Sequence, residues 1–267
     1  MSGQLITERD GRVVIVTLQN RGSMNALSAD LRIQLDAMLV NLAVDSECGA
    51  ILLRGADGDF CAGGDITEMR WRSTAEGRAR MEVAHRIIRA LCTGPKPVVA
   101  AVEGHAIGGG LSLALACDYV VVSRSAALAA SFVPRVALLP DMGLMWTMTQ
   151  RVGLGVAKRL LALGEKVTGQ RAVELGLADE AVNAGGAHAR ALEVAREFAA
   201  LPATAVHFLK IAMANRAGSL EQTLNAEADY QSVLFQSQDH AEAARAFLEK
   251  RRPVFKAEVS PPSPDRA

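Results

Sequence analysis

Two glycine-rich stretches, GADGDFCAGGDITE (55–68) and EGHAIGGGLSLALACD (103–118), are where this sequence has the means for chemistry. Each follows a run that reads as a buried strand and precedes one that reads as a helix. Each therefore leaves backbone N–H groups exposed at a helix start, a site suited to negative charge. The triplet Gly108-Gly109-Gly110 is neither a dinucleotide fingerprint, since its spacing is not G-x-G-x-x-G, nor a P-loop, since no Lys-Ser/Thr follows. Two such loops can aim one N–H apiece at a single oxygen, giving an oxyanion hole made only of backbone. The plainer alternative is that the glycines only let a helix lie close to a strand. Asp65 with Glu68 fits a D-x-x-E capping box, which reads Asp65 as a cap rather than a catalyst.

The side chains near these loops offer three further candidates. Asp141, in VALLPDMGLMWTM, is flanked by Leu139 and Met142. Desolvation there would raise its pKa toward the range a general base needs. Its competing role is to cap the helix expected from Gly143, since Asp after Pro is a common helix entry. Ser112 sits in GLSLA, one residue short of the nucleophile elbow G-x-S-x-G. A serine hydrolase with Asp141 and His188, His207 or His240 is thus a rival, against a simply buried serine. His105 borders the glycine loop and is either packed or turned toward a pocket. His85, three residues after Glu82, has no partner at metal-ligand spacing, and no metal is expected. Met69, Trp71, Met142, Met145 and Trp146 either line an acyl pocket or belong to the core.

The elements that must position these residues are legible in outline. Arg12–Gln19, Ala50–Arg54, Pro97–Glu103 and Tyr119–Ser123 read as strands, and Leu111–Cys117 as a buried helix. Ser28 is a candidate N-cap, after which Leu31, Leu35, Met38, Leu39 and Leu42 share one helical face. Strands alternating with helices predict an α/β fold. Beyond residue 143 helices are expected at 143–152, 154–163, 169–175, 187–201, 203–217, 220–236 and 239–251, with one short strand at 180–182. The domain reading is a core over 1–200, a helical segment over 201–257 and a disordered tail over 258–267, where VSPPSPDRA is too polar and proline-rich to pack.

Composition narrows the function classes. Lys plus Arg and Asp plus Glu balance at 29 each, so nucleic acid is not an expected partner. The opening MSGQLITERDGR has no apolar signal-peptide core, and the longest apolar stretch, Ile107–Cys117, is far short of the roughly 18 residues of a membrane span. Four cysteines at 48, 61, 92 and 117 show no CxxC and no disulfide pattern, which predicts a reducing, cytoplasmic setting.

Together, FCAGGDI (60–66), GHAIGGG (104–110), AFLEKRRPVF (246–255) and RGSMNALS (21–28) resemble the enoyl-CoA hydratase/isomerase, or crotonase, family, in order and in spacing from about Leu5 to Phe255. The resemblance implies a ββα spiral core with a C-terminal helical assembly segment, and a homotrimer or dimer of trimers. It implies an acyl-CoA thioester substrate, with coenzyme A arriving as part of that substrate and no separate cofactor. Gly64 and Gly109 would supply the two amides that hold the thioester oxygen. Met24, Ala26, Ala62, Asp65, Ile66 and His105 would line the substrate site.

Hydratases of this family use two glutamates, one two residues after the triplet and one seven before a later proline. Here those positions hold Ser112 and Val133. Some isomerases of the family that act on ring-derived and unsaturated acyl-CoAs have an LVPD-x-GG-x-W segment whose Asp is the acid/base. LLPDMGLMW keeps Leu139, Pro140, Asp141, Gly143 and Trp146 but has Leu144 for the second glycine. The expectation is an isomerase working through an enolate with Asp141 as acid/base. The alternatives are a hydratase with a non-standard base and a crotonase-like protein that only binds acyl-CoA.

Overall fold

A computed structural model of the chain describes residues 3–68, 72–215 and 219–255. The chain opens with β1 (Gln4–Asp10) and β2 (Val13–Gln19), a hairpin turned at Gly11, followed by α1 (Ala29–Val44) and β3 (Ala50–Gly55). Next come α2 (Thr74–Thr93), β4 (Val98–Val102), β5 (His105–Ile107), α3 (Gly109–Ala116), β6 (Tyr119–Ser123) and β7 (Ala127–Ala129). After α4 (Phe132–Val136) and α5 (Leu144–Leu163) follow β8 (Val167–Thr168), α6 (Gly169–Leu175), β9 (Glu180–Val182) and α7 (Ala187–Ala199). Helices α8 (Ala203–Ala214), α9 (Leu220–Leu234) and α10 (Gln238–Leu248) complete it.

The main sheet runs β1-β2-β3-β4-β6-β9, with only β1 antiparallel to its neighbour. Side chains alternate between its faces. Val13 and Ile15 of β2 join Leu52, Val99 and Val121 under α7, which lays Ala187, Ala191, Val194 and Ala195 on that face. Val14, Val16 and Leu18 turn the other way, into a larger core built with α1, α2, α3 and α5. Burial on both faces is why these strands read as continuous apolar runs. A second sheet, β5-β7-β8, lies beyond the ends of β4 and β6. Loops leaving the C-terminal ends of β3 and β4 carry both glycine motifs, the end of a parallel sheet where ligands bind.

Most expected elements are present within a residue or two. Ser28 caps α1 by accepting from Leu31 N–H, and Leu31, Leu35, Leu39 and Leu42 are buried on one face. The two helices expected around Gly153 are one element broken there, where φ is 75°. Strand β1 escapes sequence reading because QLITERD is a half-exposed edge with no alternation, held by pairing to β2. The three-residue strands β5 and β7 are too short to show a period.

Lys210 pins α8 to the core, donating to Leu91 O, Lys96 O and Asp118 Oδ2 at 2.6–2.9 Å. By contrast α9 buries none of its residues. Leu209, Met213, Leu224, Phe235, Phe247 and Leu248 are exposed along α8–α10. The tail expected over 258–267 lies outside the described residues. Among the described residues no single helix is long and apolar enough to cross a membrane.

Candidate active site

Backbone hydrogen bonds lay three separate segments side by side. Cys61 N–H donates to His105 O at 2.8 Å and Ile107 N–H to Cys61 O at 3.0 Å, so the first glycine loop runs along β5. Ala62 N–H donates to Met24 O at 2.9 Å and Leu27 N–H to Gly63 O at 2.7 Å, joining it to the 21–28 loop. That loop passes through left-handed backbone at Met24 and Asn25. Buried Asn25 holds it there, donating to Ala56 O and Asp59 O and accepting from Asn20 N–H. Met24, Ala26, Ala62, Gly64, Asp65 and Ile66 thereby lie on adjoining segments, with Met24 and Ile66 exposed and Ala26 buried.

The triplet divides three tasks among its glycines. Gly108 is the N-cap of α3 with φ 54° and ψ −119°, a conformation closed to ordinary side chains. At Gly110 a Cβ would lie 2.2 Å from Cys61 O, so its missing side chain lets α3 press on the first loop. Gly109 is the first residue of α3, so its N–H has no partner within the helix. A Cβ on Gly109 would stand 3.7 Å from Gly64 N, and one on Gly63 would stand 3.3 Å from Gly109 N. The two loops therefore bring the Gly64 and Gly109 amides together. Neither amide donates to a backbone carbonyl among the described residues. Paired N–H groups so placed can share one oxygen acceptor.

The loop that carries Asp141 borders the same place. It runs through buried Pro140, then Met142 (φ 50°) and Gly143 (φ 70°), and Met142 Sδ lies 3.4 Å from where a Cβ on Gly109 would be. The N-cap of α5 is Gly143 and no side chain caps it, so the capping role expected as an alternative for Asp141 is not the one it has. Burial raises its carboxyl above the ordinary range, and the charges of Arg80, Arg32 and His85 pull the other way. The loop is fastened by Ser112, whose Oγ lies 3.1 Å from Asp141 O and 3.2 Å from Gly108 O. Ser112 is fully buried, its hydroxyl serves these carbonyls, and no imidazole bonds it among the described residues. The serine-nucleophile alternative is thereby corrected: the hydroxyl ties the acidic loop to the glycine helix.

Glu68 departs from the capping box expected with Asp65. Among the described residues Asp65 is followed by a 3-10 turn, Ile66–Glu68, and α2 starts at Thr74 behind a reciprocal box of Ser73 and Glu76. The Glu68 carboxylate instead reaches across to α1, accepting from Ala29 N–H at 2.6 Å, Arg32 at 2.9 Å and Arg80 at 3.1 Å. Arg32 and Arg80 were not singled out from sequence. Nothing local marks an arginine on a helix as facing a site. His105 is tied to Asp59, with 2.7 Å between Nδ1 and Oδ1. Val133 lies exposed on α4, and Met145 and Trp146 are exposed on α5. Met69 and Trp71 lie outside the described residues. The four cysteines are unpaired, and burial pushes the Cys61 thiol up to about 12. Among the described residues no cluster of His, Cys, Asp and Glu is suited to a metal ion.

Known proteins resemble this chain along nearly its whole length. A family model described as enoyl-CoA hydratase/isomerase matches residues 8–258. A short-chain-enoyl-CoA hydratase of Clostridium acetobutylicum is 32% identical over 253 residues, 93% of this chain and 95% of that protein. A 1,2-epoxyphenylacetyl-CoA isomerase of Escherichia coli is 31% identical over 248 residues, 91% of this chain and 94% of that one. The crystal structure of an enoyl-CoA hydratase from Polaromonas sp. JS666 superposes with a TM-score of 0.89 at 32% identity, covering 94% of this chain and 99% of its own.

Proposed function

The chain belongs to the enoyl-CoA hydratase/isomerase family, and from that premise we propose that it isomerises an unsaturated or ring-derived acyl-CoA through an enolate, with Asp141 as the acid/base. It is an acyl-CoA enzyme of the crotonase fold. In the proposed reaction the thioester oxygen accepts from Gly64 and Gly109 N–H. The Asp141 carboxylate takes a proton from one carbon, and the freed electron pair shifts through the conjugated system onto that oxygen. The same carboxyl then returns the proton to a different carbon, so no water is consumed. Each backbone donor aimed at the developing charge is worth roughly a hundred- to a thousandfold in rate.

The observation that carries this reading is the half-buried Asp141 carboxylate on a loop that borders the paired amides through Met142, where Ser112 and Val133 stand in the positions of the two family glutamates. One carboxylate suits the movement of one proton within one molecule. Burial raises its pKa, the direction a general base working near neutrality needs. Relatives named hydratase at 32% and 36% identity keep a second reading in view, in which a non-standard base activates water. The exposed apolar side chains of α8–α10 support an assembly of several copies, a trimer or a dimer of trimers.

Incubating the protein with a panel of unsaturated and aromatic acyl-CoAs in deuterated water tests the proposal. Isomerised product with deuterium at the carbon that receives the proton is expected. Asp141→Asn should lower turnover by about a hundredfold or more while substrate affinity barely moves. A variant with near-full turnover would sink the Asp141 mechanism; a 3-hydroxyacyl product would favour the hydratase reading; binding without exchange would leave a protein that only holds acyl-CoA.

A further inference from the structure

The two amides of the candidate hole are held by different means. In a trans peptide the C=O and the N–H point opposite ways, so whatever grips the carbonyl also aims the amide of the next residue. The Gly108–Gly109 peptide is gripped from within its own helix, Gly108 O accepting from Ser112 N–H at 3.0 Å. The Gly63–Gly64 peptide is gripped from outside. It is trans, and its carbonyl accepts from Leu27 N–H, on another loop, at 2.7 Å. Gly64 N–H therefore points away from the Leu27 amide. Locally the turn is held only softly: Gly63 has φ 97°, and its own N–H meets a thiol, Cys61 Sγ, at 3.4 Å, a weak acceptor. The aim of Gly64 N–H is thus as firm as the seating of the 21–28 loop.

Asn25 seats that loop. It is 2% exposed and stands in left-handed backbone at φ 57°, which asparagine tolerates better than most residues. Both hydrogens of its amide go to the start of the first glycine loop, Nδ2 donating to Ala56 O and to Asp59 O at 2.8 Å each. Its Oδ1 accepts from Asn20 N–H at 3.1 Å, and the Asn20 side chain donates to Ala26 O at 2.8 Å. Further along the same glycine loop, Ala62 N–H donates to Met24 O at 2.9 Å and Gly63 O accepts from Leu27. Asn25 lies between Met24 and Leu27 in the chain, so its clamp sets the register in which those two bonds form.

We infer that Asn25 is a positioning residue of the reaction: it keeps Leu27 N–H on Gly63 O and so aims Gly64 N–H at the thioester oxygen. The inference rests on the reading of Gly64 and Gly109 as the thioester-oxygen site, but not on the role of Asp141. The donor behind Gly63 O also polarises the peptide, which strengthens Gly64 N–H as a donor in turn. A displacement of about 1 Å at such a group can cost about a hundredfold in rate.

The test reads the thioester oxygen rather than the fold. Hexanoyl-CoA carrying carbon-13 at its thioester carbonyl is bound to the full-length protein, and its carbonyl stretch is recorded by infrared difference spectroscopy at saturation, where affinity has no influence. Hydrogen bonds lower that stretch, so the wild-type band should lie below that of free hexanoyl-CoA. Asn25→Gly keeps the left-handed backbone and removes the clamp; the lowering should shrink by about half, since one of two donors is misaimed. Replacing Leu27 by its α-hydroxy acid, which exchanges the N–H for an ester oxygen and keeps the side chain, should give the same loss. A full lowering in either folded protein would overturn the inference. Should Asn25→Gly not fold, Asn25→Asp takes its place, keeping the acceptor for Asn20 N–H and losing both donors, and the same outcomes decide. A wild-type protein that does not bind hexanoyl-CoA, or binds it with no lowering, would overturn the reading of the hole and this inference with it. A wild-type lowering that survives in the variants overturns the inference alone.

Discussion

Three adjacent glycines should give three different phenotypes when each receives one methyl group. In Gly110→Ala the new Cβ would lie 2.2 Å from Cys61 O and 2.8 Å from its carbonyl carbon, both backbone atoms. Neither can yield without parting α3 from the first loop, so a loss of about 3 kcal/mol or more is expected. Gly108→Ala has room, its nearest neighbours being the Phe132 ring at 3.7–3.8 Å, but must hold φ 54° and ψ −119°. That costs about 1–3 kcal/mol. In Gly109→Ala the contacts are 3.4 Å to Met142 Sδ, 3.5 Å to Leu27 Cδ1 and 3.7 Å to Gly64 N, all ordinary. With helical backbone, this variant should be as stable as the wild type or about 0.5 kcal/mol more so. Gly109→Val adds methyls about 1.5 Å beyond that Cβ. At least one must enter the space between Met142, Leu27 and Gly64 N, where the proposed oxyanion would sit. Turnover should fall about a hundred- to a thousandfold in a folded protein. Urea midpoints and steady-state rates on all four variants are the assay. A folded Gly109→Val enzyme with undiminished activity, or a Gly110→Ala protein as stable as the wild type, would refute the division of labour.

Asp141→Asn should gain thermal stability at neutral pH while losing activity. Because burial raises the folded-state pKa of Asp141, wild-type stability falls as pH rises from the ordinary carboxylate range through that raised value. The Asn variant escapes this, so its advantage should vanish at pH below the ordinary range; an advantage that grew on acidification would contradict the sign. Ser112→Ala should cost about 1 kcal/mol and less than tenfold in rate, since Leu144 N–H still serves Asp141 O at 3.1 Å. A hundredfold loss would give the hydroxyl a chemical role. Lys210→Met should destabilise by about 3–5 kcal/mol in thermal or urea unfolding, because it strands Asp118 and two carbonyls. Wild-type stability in that variant would mean α8 is held by something else.

What the sequence determined by itself was whatever depends on near neighbours in the chain. The apolar runs of β2, β3, β4 and β6, the Ser28 cap and the helix of small residues after Gly110 are local signals, and they place both glycine loops at strand ends. The motif order also marked Gly64, Gly109 and Asp141 as candidates, although they are far apart along the chain. Tertiary structure alone decided what those residues meet. Residues 27, 63 and 109 come together through hydrogen bonds between segments, and the three glycines differ only in which foreign atom each faces. The capping box at Asp65 and the elbow at Ser112 satisfied local rules, yet Glu68 turned to α1 and Ser112 to Asp141. A side chain takes the partner that folding brings within about 3 Å, and sequence spacing does not encode that distance. For the same reason Arg32 and Arg80, 48 positions apart in number, meet on one carboxylate only because α1 and α2 pack side by side.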